Sequence, residues 1–400
     1  MNPLFMKHSL PIYALCTFYL KIKYGKLSLA YHIFMNEQKA KKGVTKDMNI
    51  DEKKKDRIVY IDCLRIFSLF LMMMLHVAGS QWSIISVHTN EWIIFNSYNS
   101  IVRLSVPVFI MISGVFFLNP NKLITIKKLF SKYILRILIA LLFWSTAYAL
   151  YTQFISVLKS QPFSLQQFTK DIVYGHYHLW FLYMLIGLYL IVPFLRKIVE
   201  SKILMKYFLC LFFAYLILQA LILIPALTAP LNTIYQNISL YFVAGYAGYF
   251  ILGYYLAYTD MNQTYQRILY LSGLLSIIFT IVISSVLSLE QQAANFSWHV
   301  YLLPNILLPS CAVFVFFKYY VSKIKWSDKV LSCISLFSKL SFGMYLIHDF
   351  FNILMPAFGL TTLSYNAVLS VPLNTLIVFF SSFILTFVIY KIPILNKYII

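Results

Sequence analysis

About ten apolar stretches, each near the twenty residues that cross a hydrocarbon layer, follow one another through this 400-residue chain. They fall near 60–82, 94–118, 133–155, 177–195, 207–227, 238–258, 268–289, 300–322, 340–358 and 367–390. A bilayer interior has no water to satisfy backbone N–H and C=O groups, so segments of this length must be helical. The expected fold is therefore all-α: a polytopic transmembrane helix bundle. Apolar residues make up 60% of the chain and charged ones 12%, beyond the range of a soluble domain.

The formal net charge of +20 would suit nucleic acid if it were spread over a soluble surface. Here the bases fall between apolar stretches, and they alternate. One set of loops holds Lys122, Lys127, Lys128 and Lys132, then Arg196, Lys197, Lys202 and Lys206, Arg267, and Lys318 to Lys339. The opposite set holds only Lys159 and Lys170. This asymmetry predicts a multi-pass plasma-membrane protein with both termini in the cytoplasm. The lipid bilayer is then its first partner, and nucleic acid is not one. The loop at 152–176 is the longest on the base-poor side and is expected to fold back as a partial lid.

Residues 1–56 stand apart from the membrane domain at 57–400. They contain a short apolar run from Ser9 to Leu20 and most of a polybasic stretch that runs from Lys39 on to Arg57 and should stay cytoplasmic. With no small-residue cleavage pattern, a secretory signal is not expected. The lead-in is expected to be either a loosely attached amphipathic segment or, in preference, sequence upstream of a start at Met35 or Met48. The five cysteines (Cys16, Cys63, Cys210, Cys311, Cys333) show no ligand or disulfide spacing.

The stretch RIVYIDCLRIFSLFLMMMLHVAGSQWS at 57–83 carries Asp62, Arg65 and His76. Eleven helical steps leave Arg65 and His76 only about 20° apart in azimuth and roughly 16 Å apart along the axis. Asp62, three residues before Arg65, shares that face. Ionisable groups at membrane depth point to a functional interior. For Asp62 and Arg65, mutual pairing or an interface position is the plainer alternative. Arg103, in the second stretch, lies about 14 Å deep and should face a cavity, a carboxylate or an anionic substrate. Pro107 and the Ser113-Gly114 pair allow a kink and close helix approach there.

In GHYHLWFL, His178 and Trp180 sit at the outer interface. His176 and His178, two apart, do not share a helix face, so no metal is expected. Gly245, Gly248 and Gly253 predict tight helix packing. His348 and Asp349 are neighbours pointing about 100° apart, so one can face a site while the other packs.

Taken together these motifs resemble the acyltransferase-three family of integral-membrane O-acyltransferases. The likeness covers about residues 55–395. It rests on the Arg65-x10-His76 signature, RLSVPVFIMISG with Arg103, HLWFL at 178–182 and SFGMYLIH at 341–348. The resemblance implies an acyltransferase of the kind that acetylates or succinylates surface polysaccharide, with cytoplasmic acyl-CoA (acetyl-CoA foremost) as donor. The acceptor is a sugar hydroxyl of a cell-surface or lipid-linked glycan such as an exopolysaccharide, and a polysaccharide synthase or export machinery is the implied partner. His76, with Arg65 and Asp62, forms the candidate catalytic group. His76 is the general base and Arg65 a contact for the CoA phosphates. Arg103, Arg136, His178, Trp180 and His348 are the candidate substrate-binding residues. Lys127, Lys128 and Lys132 with Arg136 would extend a basic mouth under this reading, while the positive-inside bias alone is the plainer account of them. The early stretches offer no further carboxylate to orient His76. The alternative is a secondary transporter or glycan exporter without acyl transfer, but related halves, common in such proteins, are not visible.

Overall fold

The computed structural model describes residues 58–238 and 245–400. The lead-in at 1–56 and the first part of the stretch expected at 238–258 lie outside the described residues. Among the described residues nine helical stretches are long and apolar enough to cross a membrane. They are Val59–Trp82, Asn90–Phe117, Ile126–Leu158, Leu165–Glu200, Lys202–Ile222, Gln263–Gln291, Ser297–Lys323, Asp328–Phe358 and Ala367–Lys391. Each coincides with an expected span. The remaining one is represented by a helix over Ala247–Tyr258.

In chain order the main helices are α1 (Val59–Trp82), α2 (Asn90–Val102), α3 (Ser105–Phe117), α4 (Leu135–Leu158), α5 (Leu165–Tyr174), α6 (Trp180–Glu200) and α7 (Lys202–Ile222). They continue with α8 (Pro225–Ile238), α9 (Ala247–Tyr258), α10 (Gln263–Gln291), α11 (Pro304–Tyr319), α12 (Asp328–Leu354) and α13 (Ala367–Lys391). The described fold is thus a polytopic all-helical bundle.

The helix α1 is its axis. It packs against α2, α3, α11, α12 and α13, and its Ile61, Leu64, Leu69 and Met73 are fully buried. In lipid, helices gain little from leaving the solvent, so close van der Waals fit holds them. The α3–α9 contact shows how close. A Cβ on Gly114 would stand 1.8 Å from the Phe250 carbonyl oxygen, and one on Gly253 would stand 2.2 Å from that of Met111. The glycines of this region do serve packing.

Two breaks in the spans shape the interior. The second span is interrupted between α2 and α3, at Arg103 and Leu104. Pro107 has no N–H to give to the Arg103 carbonyl, and its ring crowds that carbonyl, so the helix opens four residues before the proline. The fourth span is interrupted between α5 and α6. Gly175, at φ 72°, ends α5, and Tyr177–Leu179 form a single 3-10 turn before Trp180 begins α6. The expected fold-back at 152–176 is visible as α5, which returns along α4.

Candidate active site

Two cavities adjoin α1. The first, about 330 Å³, is lined on α1 by Arg65, Met72 and His76. Arg136, His178, Trp180, Tyr189, Tyr301, Ser338, Lys339 and Tyr345 add to its wall. The second, about 530 Å³, begins one turn further along α1, with His76, Gly79, Ser80 and Trp82. It is completed by Asn99, Arg103, Tyr177, Trp180, Phe296, Tyr301 and Asn352. His76, Trp180 and Tyr301 line both. The stripe read on α1 is therefore a wall, and His76 is the α1 side chain where the two spaces share it.

At the far end of the first cavity, Arg65 donates to Ser338 Oγ at 3.3 Å, and Ser338 donates in turn to Asp62. Asp62 is buried, stands outside the lining of both cavities and is joined to Arg65 through Ser338. A hydrogen bond to an ionised partner is worth about 1.5–3 kcal/mol net, enough to hold the guanidinium in one direction. Arg65 and Lys122 approach the same Phe116 ring, at 5.0 and 5.5 Å. Lys122, in the loop after α3, has its ammonium pushed below the usual lysine range, first by burial and then by Lys128, Lys132 and Arg65. This end of the molecule gathers positive charge and suits an anion.

Arg136 lines the first cavity, donates to the Ile400 carbonyl oxygen and lies over the Phe342 ring. A π-helical stretch over Leu129–Ile134 precedes α4, and Tyr133, Arg136 and Ile137 reach the cavity from there. Lys127, Lys128 and Lys132 remain exposed, and it is Lys339 on α12 that joins Arg136 in the wall.

Arg103 sits at the break between α2 and α3, over the Tyr301 ring at 5.4 Å. Its buried Nε has no hydrogen-bond partner. Trp180 stacks on Tyr301 with ring centroids 5.8 Å apart, so these two form a parting between the cavities.

Around His76 the histidines converge. Its ring centroid lies 5.1 Å from His348, 6.4 Å from His178 and 5.3 Å from Tyr177. His348 is fully buried, and its Nδ1 meets the Tyr345 carbonyl oxygen at 2.6 Å. It backs His76 from outside the lining of both cavities. Asp349 accepts from Tyr177 Oη at 2.6 Å and Asn352 Nδ2 at 3.1 Å.

The ground for setting a metal aside fails. Residues 176–178 are not on an α-helix, and in the turn after Gly175 the two imidazoles converge, Nδ1 to Nδ1, at 2.9 Å. Together with Asp349 they place three ligating atoms within 4.8 Å of one another. Tyr301 and Ser338 went unread in the sequence, and Lys339 was read only as a loop base. Ser338 stands three residues before the SFGMYLIH motif, and only that proximity marked it.

The described residues place a shared imidazole, flanked by cations and aromatic walls, deep in a helical membrane bundle. No curated protein and no solved structure matches the chain. The family described as an acyltransferase domain, acyltransferase three, matches it over residues 58–391, which takes in both cavities. With that match spanning most of its length, this multi-pass membrane protein belongs to the acyltransferase-three family and is an acyltransferase.

Proposed function

We propose that the protein transfers an acetyl or succinyl group from cytoplasmic acyl-CoA to a sugar hydroxyl of a cell-surface or lipid-linked glycan. The observation that carries this reading is His76 on the wall of both cavities. One cavity offers Arg65, Arg136 and Lys339 to an anionic donor. The other offers the rings of Trp82, Tyr177, Trp180 and Tyr301, with Asn99 and Asn352, to a sugar. Fork-shaped guanidinium groups suit phosphate, and the base-rich loops near the first mouth agree with a cytoplasmic donor.

A sugar hydroxyl is a poor nucleophile until its proton is taken. His76 would accept that proton as the oxygen attacks the thioester carbon. Arg103 would meet the negative charge that develops on the carbonyl oxygen. As the tetrahedral centre collapses, the carbon–sulfur bond breaks and the CoA thiolate takes the proton from His76. The products are a sugar ester and the free CoA thiol. Arg65 would hold the donor, oriented by Asp62 through Ser338. His178 and Trp180 would shape the passage, and His348 would fix the ring of His76 from behind.

The test is mass analysis of surface polysaccharide from cells carrying the wild type, His76→Ala or no copy of the protein. Ester-linked acyl groups should vanish in both defective strains while polymer still reaches the surface, and the mass increment names the donor. Polymer held inside the cell, or acylation unchanged in all three, would favour an exporter instead.

A further inference from the structure

Neither His176 nor His178 moves a proton or bears charge in the acyl-transfer steps above, yet the structure brings both near one buried carboxylate. His176 Nδ1 lies 2.9 Å from His178 Nδ1 and 3.4 Å from Asp349 Oδ2. One ligating atom from each residue lies within 4.8 Å of the other two. Ligands bound at about 2.0–2.1 Å around a tetrahedral zinc ion stand roughly 3.3 Å from one another. Two of the separations are therefore already close to those of neighbouring ligands, and the third needs a small closure.

The carboxylate supports the same conclusion. The Asp349 side chain is 1% exposed. Tyr177 and Asn352 occupy its Oδ1, while Oδ2 has no hydrogen-bond partner. A buried carboxylate needs a cation, and its ion-pair partner among the described residues is His176. A ligating carboxylate whose second oxygen is held by outer hydrogen bonds is the usual arrangement at metal sites. Tyr148 stacks on the His176 ring at 4.3 Å and keeps it in place.

We propose that His176, His178 and Asp349 form a binding site for a divalent transition metal of the zinc class. Two imidazole nitrogens and one carboxylate oxygen favour such an ion over calcium or magnesium. The ion ties the turn at 176–179 to α12, and so fixes His178 and Trp180, which border the first cavity. The site does not depend on the acyl-transfer reading, because the ion binds the resting protein.

The test uses the full-length protein in detergent, purified on a tag without histidine, equilibrated with zinc sulfate and freed of excess. Elemental analysis should find about one zinc per chain in the wild type and less than about a tenth of that in His176→Ala and Asp349→Asn. His88→Ala, which removes an exposed imidazole bonded to Gln292, should keep the ion. Zinc absorption spectra should show nitrogen and oxygen ligands at about 2.0–2.1 Å. A wild type holding less than about a tenth of an equivalent, or variants binding as the wild type does, would overturn the site. If Asp349→Asn does not fold, His176→Ala decides, since that side chain is partly exposed. A metal-free wild type that His176→Ala nevertheless destabilises would make the trio a hydrogen-bonded chain and the metal proposal wrong.

Discussion

Two helices of this bundle carry polar stripes through the membrane, and they do different work. On α1 the stripe runs Arg65, His76 and Ser80, along cavity walls. On α10 it runs Ser276, Thr280, Ser284 and Ser288, all buried. The α10 hydroxyls are satisfied close by. Thr280 and Ser284 donate to carbonyls of their own helix, at 2.7 and 2.6 Å. Asn96 of α2 donates to Ser284 and Ser285, and Asn305 of α11 donates to Thr280. That is a joint between helices, made of small side chains that let backbones approach. The α1 stripe instead carries charge, borders open space and leaves the neighbouring Arg103 Nε without a hydrogen-bond partner. Polarity inside a membrane does not mark a site by itself; ionisable groups facing a cavity do.

The comparison breaks most visibly at His76. Under the proposed function, His76→Ala should lower acyl transfer by at least about a hundredfold, the range of a lost general base. A thioester-cleavage assay on reconstituted protein measures it. Melting temperature should stay near the wild type, since the side chain borders two cavities. A variant that keeps its rate would move the chemistry away from α1.

The next effect is expected at the Arg65 end. Arg65→Lys keeps the charge but loses the planar fork, and should raise the KM for acyl-CoA roughly tenfold or more. Ser338→Ala removes the hydroxyl that joins Arg65 to Asp62, and should raise the same KM several-fold with little change in kcat. If Ser338→Ala instead lowers kcat alone, Asp62 and Ser338 act on the chemistry rather than on donor binding.

Much of the α1 side was legible in the sequence, because a charge in an apolar stretch stands out against its neighbours. Arg65, His76 and Arg103 were visible that way. So was the opening of the second span, since Pro107 must disturb the turn before it. Tyr301 and Ser338 were not legible, and Lys339 was legible only as a loop base. A tyrosine at a span end and a serine or lysine near a loop are ordinary there, and only the meeting of α11 and α12 with α1 gives them a place in the cavity. The His176–His178 pair was misread for a local reason. A helical period does not apply there, because Gly175 has already turned the chain out of the helix. The α10 stripe was written plainly, as small polar residues four apart, but its partners Asn96 and Asn305 lie far away in sequence.

Packing between helices provides a matched pair of glycines. Gly114→Ala drives a methyl group into the Phe250 backbone and should cost about 2–3 kcal/mol, read as a lower melting temperature in detergent. Gly187, in the interior of α6, has nothing within 4 Å of a Cβ. Gly187→Ala should therefore leave stability unchanged or raise it by up to about 1 kcal/mol through helix propensity. Equal losses at the two positions would mean that close approach of α3 and α9 is not what Gly114 provides.

The smallest effect is expected on α10, and it sharpens the comparison most. Ser284→Ala removes a hydroxyl that donates to the Thr280 carbonyl oxygen and accepts from Asn96. Interhelical hydrogen bonds in membranes average about 0.6 kcal/mol, because a loosened segment finds other partners. The Asn96 amide nitrogen would keep Ser285 Oγ at 3.0 Å and the Ile281 carbonyl oxygen at 3.3 Å, while its Oδ1 would lose the 3.2 Å bond that Ser284 donates. The variant should melt slightly earlier and transfer acyl groups at the wild-type rate. A large loss of activity with an unchanged melting temperature would mean that the α10 stripe reaches the site after all. The division between a polar joint and a polar wall would then have to be redrawn around Asn96, three residues before the cavity-lining Asn99.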